Sequence, residues 1–357
     1  MMNTYIIAEA GVNHNGSFEL AKKLVLAAKE AGADAVKFQT FKAENLVTKA
    51  AEQAAYQVEN LGEATSQFDM LKKLELSYDE FTALKQYCNE QSIEFLSTPF
   101  DFESVDFLVD TLGMEIVKIP SGELTNAPFI YYIATKRKKM IVSTGMATLD
   151  EIHEALGFIA FGLANFKKVS IEYVKAFYKT EKAKELLKQF VTVLHCTTEY
   201  PAPLETINLT AMNQLRVELQ VPIGYSDHSE GIIVPITAIG LGATVIEKHF
   251  TLDKTLPGPD HRASLNPKEL IHMIKGIRQV EQVLGSGLKH PSEIELKNRR
   301  AARKSIVAKT EIVVGTTLTE AHLDLKRPGT GLSPSTYWSL LGSVTQKAYE
   351  KDDLIEE

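Results

Sequence analysis

Cysteine is nearly absent from this 357-residue sequence, which holds only Cys88 and Cys196. Two thiols cannot build a disulfide framework, and a reducing cytoplasm is the expected setting. No apolar run reaches the roughly 18 residues that a membrane-spanning helix requires, so no membrane contact is expected. The amino terminus, MMNTYIIAEAGVNHNG, has no basic stretch followed by a long apolar one, and no secretory leader is expected. Positive charge is short as well. The 39 Lys and Arg stand against 46 Asp and Glu, a net of −7 that argues against a sequence-independent nucleic-acid surface. A GxGxxG fingerprint is missing, and with it the mark of a dinucleotide-binding doubly wound sheet.

In place of these features the chain repeats one pattern, a short apolar run that ends in polar residues. It occurs as YIIAEAG from Tyr5, DAVKFQT from Asp34, EFLSTPF from Glu94, EIVKIPS from Glu115, MIVSTGM from Met140 and VTVLHCT from Val191. VPIGY from Val221 and ATVIE from Ala243 complete a set of eight. Helical segments separate most of them. Ser77 with Glu80, and Thr148 with Glu151, have capping-box spacing. Asn266-Pro267 opens a helix that Gly285 closes. Eight βα units over residues 1–285 predict an α/β fold, a (β/α)8 barrel with its polar residues at the C-terminal strand ends. Asn45 to Phe68 reads as an extended connection able to cover that end, and Phe166 to Gln189 as an extra surface helix. A charged linker over 286–300 leads to a small β-rich domain over 301–357, too small for much core of its own.

The stretch from Val221 to His261 concentrates the chemistry. Read as strand–helix–strand, it puts Ser226 and His228 on one strand face, and Glu247 and His249 on another. Neighbouring strands lie about 5 Å apart, so both imidazoles could reach one divalent cation. Two nitrogens leave room for substrate and water oxygens, which suits Mn2+ or Mg2+ better than a closed zinc site. Lys37 and Lys118 fall inside predicted barrel strands, where an ammonium is costly unless paired. With several hydroxyls nearby they suit a multiply charged anion such as a phosphorylated acid; the alternative is structural pairing with Glu9 and Glu123. Cys196 reads as a small buried hydrophobe.

The motifs IIAEAGVNHNG, DAVKFQTFKAENL, FLSTPFD, KIPSGELTN, STGMAT, HCTTEYPAP, IGYSDHSEG, VIEKHFTLD and GPDHRAS occur together in this order. That series resembles the bacterial sialic acid synthases, which condense phosphoenolpyruvate with an N-acetylated mannosamine sugar. The tail ARKSIVAKTEIVVGTTLTEAHLDLKRPGTGLSP resembles their antifreeze-like (SAF, β-clip) domain. The resemblance implies that His228 and His249 hold the metal. It implies that Lys37, Thr98, Lys118, Ser121, Ser143, Thr198 and Ser226 line the phosphoenolpyruvate pocket. Some family members carry asparagine where Thr198 stands, and a threonine can donate only one hydrogen bond there. Gln39, Tyr200 and Arg327 would meet the sugar, and Glu9, Glu123 and Asp260 are the candidate catalytic carboxylates. Arg327 would act across a homodimer whose carboxy-terminal domains are exchanged. The expected product is N-acetylneuraminate; the alternatives are legionaminate from 2,4-diacetamido-2,4,6-trideoxymannose and, more distantly, a metal-dependent barrel aldolase or lyase. A non-catalytic, ice-binding reading is opposed by the ionisable rim.

Overall fold

The computed structural model describes residues 3–61 and 66–356. Eight parallel strands form one sheet: β1 (Tyr5–Gly11), β2 (Ala35–Thr40), β3 (Glu94–Pro99), β4 (Ile116–Ile119), β5 (Lys139–Ser143), β6 (Val191–Cys196), β7 (Ile223–Asp227) and β8 (Val245–His249). β1 pairs with both β2 and β8, so the first and last strands meet. β3 and β4 end the ladder and pack side by side without strand pairing among the described residues. The result is a near-closed (β/α)8 barrel, whose strands each begin within two residues of the start of an apolar run in the sequence.

Strand alternation sorts the barrel interior into layers. Ile7, Ala35, Leu96, Ile141, Leu194 and Val245, one residue from each of six strands, form a buried apolar floor. Two positions further along the same strands stand Glu9, Lys37, Thr98, Ser143, Cys196 and Glu247. β7 contributes Gly224 to the floor level, where a Cβ would lie 2.6 Å from both Leu194 Cδ2 and Val245 O.

Helices pack around the sheet to make the main core. Both capping boxes form, with the hydroxyls of Ser77 and Thr148 and the carboxylates of Glu80 and Glu151 satisfying free N–H groups. The helix Pro267–Leu284 runs from Asn266 to Gly285, as the proline and glycine dictate. Two connections differ from the sequence reading. The segment expected to be extended between Asn45 and Phe68 carries the helices Ala55–Leu61 and Gln67–Leu74, the second capped by Ser66; residues 62–65 lie outside the described residues. The single helix expected over 166–189 is two, Ile171–Tyr178 and Glu181–Phe190, because Thr180 caps a new start.

The chain divides into two compact units, the first ending at Gly285 and the second beginning at Ser286. The second holds the helix Glu293–Ala302, with a Ser292–Glu295 capping box, so ordered structure occupies part of the expected linker. That helix has no buried residue, as its charge suggests. β9 (Ser305–Ala308) and β10 (Leu323–Lys326) pair antiparallel. Ile306, Ile312, Leu318, Leu323, Tyr349 and Ile355 form its small core.

Gly224 offers a test of the floor. Alanine is ordinarily preferred to glycine in a strand by roughly 0.5–1 kcal/mol. Overpacking a tight core costs about 1–3 kcal/mol, and here the new methyl would meet backbone, so the clash prevails. Gly224→Ala should lower the urea midpoint and the melting temperature; an unchanged or raised midpoint would show that the floor is not close-packed there.

Candidate active site

A cavity of about 360 Å³ opens at the C-terminal ends of the strands. Its floor is a chain of four buried charges. Lys37 Nζ lies 2.8 Å from Glu9 Oε2 and 3.6 Å from Glu247 Oε2, and Lys118 Nζ lies 3.5 Å from Glu247 Oε1. None of these side chains is more than 5% exposed. Hydroxyls complete their bonding: Lys37 donates to Thr98 Oγ1 at 2.9 Å and Lys118 to Ser143 Oγ at 2.7 Å. Ser226 Oγ donates to Glu247 Oε1 at 2.8 Å. Burial pushes the Glu9 carboxyl up, beyond what Lys37 can offset. Burial acts on Glu247 in the same direction, but Lys118 and Lys37 together outweigh it and hold that group low.

The sequence alternatives for the lysines were anion binding or ion pairing, and the structure contains the second while leaving the first open. Lys37 does pair with Glu9, but Lys118 pairs with Glu247 and not with Glu123. Glu123 ends a short 3-10 turn, Ser121–Glu123, where it accepts from Asn126 Nδ2 at 2.7 Å; it is not among the residues lining the cavity. Glu247 was visible in the sequence only as a strand-tip acid. Its place between two lysines needed the neighbouring strands.

β7 and β8 position the two histidines through their register. Ser226 pairs with Glu247 and Asp227 with Lys248, so His228 and His249 come next in line, with ring centroids 5.5 Å apart. The middle pair points the other way and locks the two strand ends together. Lys248 Nζ donates to Asp227 Oδ2 at 2.5 Å and to the Ser229 carbonyl, and neither charged side chain is exposed. The matching opposite charges in SDHS and EKH were the available signal for that pair.

His228 Nδ1 lies 2.6 Å from the Thr197 carbonyl, which only accepts, so Nδ1 carries the proton and Nε2 keeps a lone pair. Burial pushes His228 down to about 4 and His249 well below its usual value, leaving both imidazoles neutral. His249 Nδ1 is buried without a hydrogen-bond partner among the described residues, 4.0 Å from Asp260 Oδ2. Neutral imidazoles with free lone pairs fit a divalent cation. Among the described residues no group of three or more His, Cys, Asp and Glu is arranged to enclose a metal, so other positions would fall to oxygen from outside the chain.

The remaining wall is mixed. Tyr200 lines the cavity with its ring 4.1 Å from that of His228, and Gln39, Thr198 and Asp260 also face it. Burial pushes Asp260 up to about 6. Ser121 Oγ accepts from Gly145 N at 2.9 Å and lies 3.2 Å from the buried Cys196 Sγ. β1 bulges between Glu9 and Gly11. Gly11 has φ +53°, and a Cβ there would touch Glu9, Gln39 and His249 at 3.4 Å, so a side chain would be strained and would crowd the site. Arg327 lies in the second unit, exposed, directly after β10. The helices of the 52–74 connection, barely marked in the sequence, supply Gln57, Gln67, Met70, Leu71 and Leu74 to the lining.

Comparison with known proteins gives two family matches, the NeuB family over residues 24–289 and the SAF domain over residues 303–357. The N,N'-diacetyllegionaminic acid synthase of Legionella pneumophila is 48% identical over 96% of this chain and 90% of its own length. The protein of that name from Campylobacter jejuni is 46% identical over the whole of both chains. A crystal structure of N-acetylneuraminic acid synthetase from Leptospira borgpetersenii, in complex with citrate, matches with a TM-score of 0.66 and 32% identity, covering 83% of this chain and 90% of that one.

Removing Lys37 tests the charge cluster. Breaking a buried ion pair from one side costs about 3–5 kcal/mol. In Lys37→Met the folded-state pKa values of Glu9 and Glu247 should both rise relative to the parent, with Glu9 well above the unfolded value of about 4.3. A folded state that binds more protons is favoured in acid and loses that advantage as pH rises through the folded pKa. Urea unfolding should therefore show a larger deficit at about pH 8 than at about pH 5; a deficit independent of pH would contradict the pairing.

Proposed function

Because the chain belongs to the NeuB family, we propose that it is an N,N'-diacetyllegionaminic acid synthase. It would join phosphoenolpyruvate, open-chain 2,4-diacetamido-2,4,6-trideoxymannose and water, releasing phosphate. The observation that carries this reading is one cavity with two buried lysines at its base and two neutral imidazoles one layer above. The N-acetylneuraminate product favoured by the motifs gives way to the legionaminate alternative, supported by two relatives of that name aligned over nearly all of this chain.

Lys37 and Lys118, with Thr98, Ser143 and Ser226, would hold the phosphate and carboxylate of phosphoenolpyruvate and orient its C3 toward the aldehyde, a contribution from proximity. The double-bond pair forms the new carbon–carbon bond, the aldehyde oxygen takes a proton, and C2 becomes an oxocarbenium centre. Water adds to C2 and gives up a proton to a carboxylate. The C2–O bond to phosphate then breaks, phosphate leaves with the electron pair and takes up the proton lost by the C2 hydroxyl, and a ketone remains. Glu9 beside Lys37 is placed to serve C2, and Asp260 beside His249 to serve the sugar oxygen. Mn2+ or Mg2+ on His228 and His249 would supply Lewis-acid polarisation of that oxygen. Glu123, outside the cavity lining, is given no step.

No helix among the described residues is long and apolar enough to cross a membrane, and we place the reaction in the cytoplasm, where its phosphorylated substrate belongs. The proposal includes a homodimer with exchanged carboxy-terminal domains, in which the partner's Arg327 meets the sugar. The second unit's small core and the exposure of Arg327 support that reading.

Phosphate release should require both phosphoenolpyruvate and the diacetamido sugar, and should stop in chelator. Mn2+ alone, followed by its paramagnetic resonance signal, should bind the parent protein and not His249→Ala. Release that needs no sugar, or full activity in chelator, would remove the reading. Exchange of domains has its own check. Arg327→Ala and His249→Ala, each nearly inactive, should recover roughly a quarter of parental activity when co-refolded in equal amounts, since half the dimers are mixed and each holds one intact site. If each tail served its own barrel, mixing would restore nothing.

A further inference from the structure

The cavity has two unlike sides. Among the described residues, every charged side chain that lines it comes from a barrel strand or from the loop after β8: Glu9, Lys37, Lys118, Glu247 and Asp260. The facing side comes from the end of β1, the 52–74 connection and the residue after β3, and it lines the cavity with Val12, Met70, Leu71, Leu74 and Phe100. Among its described residues the polar groups are the amides of Gln57 and Gln67, and none is charged.

This wall is built, and it is separate from the barrel core. Val12, Met70 and Leu74 are buried in their own cluster with Phe41, and Leu71 and Phe100 pack against them. Phe41 and Phe100 meet edge to face with centroids 6.2 Å apart. The connection is also tied across the mouth, where Asn60 Nδ2 donates to the Pro259 carbonyl at 2.7 Å, next to Asp260. An enolpyruvate phosphate, charged at both ends, gains nothing from such a surface and has the lysines opposite. The apolar side is left for the other substrate.

We propose that this wall selects the acceptor sugar, receiving the C6 methyl and the C4 acetamido methyl of a 2,4-diacetamido-2,4,6-trideoxy sugar in preference to hydroxyls at those carbons. The inference rests on the synthase reading above and names how that site chooses its substrate. A hydroxymethyl group against Met70, Leu71 and Leu74 loses its water and finds no partner. A methyl group there loses no hydrogen bond and buries apolar surface. Gln57 Oε1 already accepts from Ala54 N at 3.0 Å, which leaves its N–H groups as donors, while the Gln67 amide offers a donor and an acceptor; together they match the C=O and N–H of an acetamido group. Apolar pockets reject an added hydroxyl only modestly, by about a hundredfold at most, so the expected preference is graded and not absolute.

The test compares four acceptors on the unaltered protein: N-acetylmannosamine, its 6-deoxy derivative, its 4-acetamido-4-deoxy derivative and the sugar with both changes. With phosphoenolpyruvate saturating, kcat/KM from phosphate release should rise about tenfold with each single change and approach a hundredfold with both. Leu71→Gln, a half-buried position on the wall, should shrink the preference for the doubly changed sugar, and Leu71→Met should keep it. Equal kcat/KM for all four sugars, or a preference unaltered in Leu71→Gln, would overturn this inference and leave the synthase reading standing. No phosphoenolpyruvate-dependent phosphate release with any of the four would overturn both.

Discussion

Four charges buried at the centre of a barrel are the constraint on which the rest of the structure depends. Glu9, Lys37, Glu247 and Lys118 come from four strands, and each would be prohibitively costly to bury alone. They are tolerable only because strand pairing brings them together, and because Thr98, Ser143 and Ser226 satisfy remaining donors and acceptors. Closure of the barrel is therefore coupled to assembly of the site. The sheet cannot slip by one residue without sending all four charges to the helical layer and its apolar partners to the interior.

The same period of two organises what lies above and below. Below, the floor from Ile7 to Val245 excludes water and leaves Gly224 where a methyl does not fit. Above, the register that pairs Ser226 with Glu247 carries His228 and His249 to neighbouring tips. The Asp227–Lys248 pair, fully buried behind them, ties the two strand ends on the opposite face. Site and scaffold share residues strand by strand, so the ionisable groups face a rigid cavity whose polarity falls off toward the 52–74 connection.

The eight strands were legible in the sequence because each is a local apolar run with a polar end, and that signal needs no partner. Helix starts at Ser77 and Thr148 were legible for the same reason, since a capping box is complete within four residues, and the start at Asn266 because a proline marks the first turn. The connection after β2 was not. Its helices are short and amphipathic against a satellite cluster, and their burial becomes apparent only beside Val12, Phe41 and Phe100.

Sequence alone determined the fold class and the succession of strands, because these follow from a pattern that repeats along the chain, and it put forward the candidate site residues from strand ends and from the family resemblance. It marked Lys37 and Lys118 as unusual, since an ammonium in a barrel strand demands an explanation wherever it occurs. Tertiary structure decided which acid answers which lysine: Glu247 serves both, and Glu123, three residues from Pro120 in the chain, turns aside to Asn126. It also decided the character of the far wall, on which the choice of sugar is argued to depend. Pairing and wall polarity are properties of surfaces made by segments distant in sequence, and such surfaces exist only once the barrel has closed.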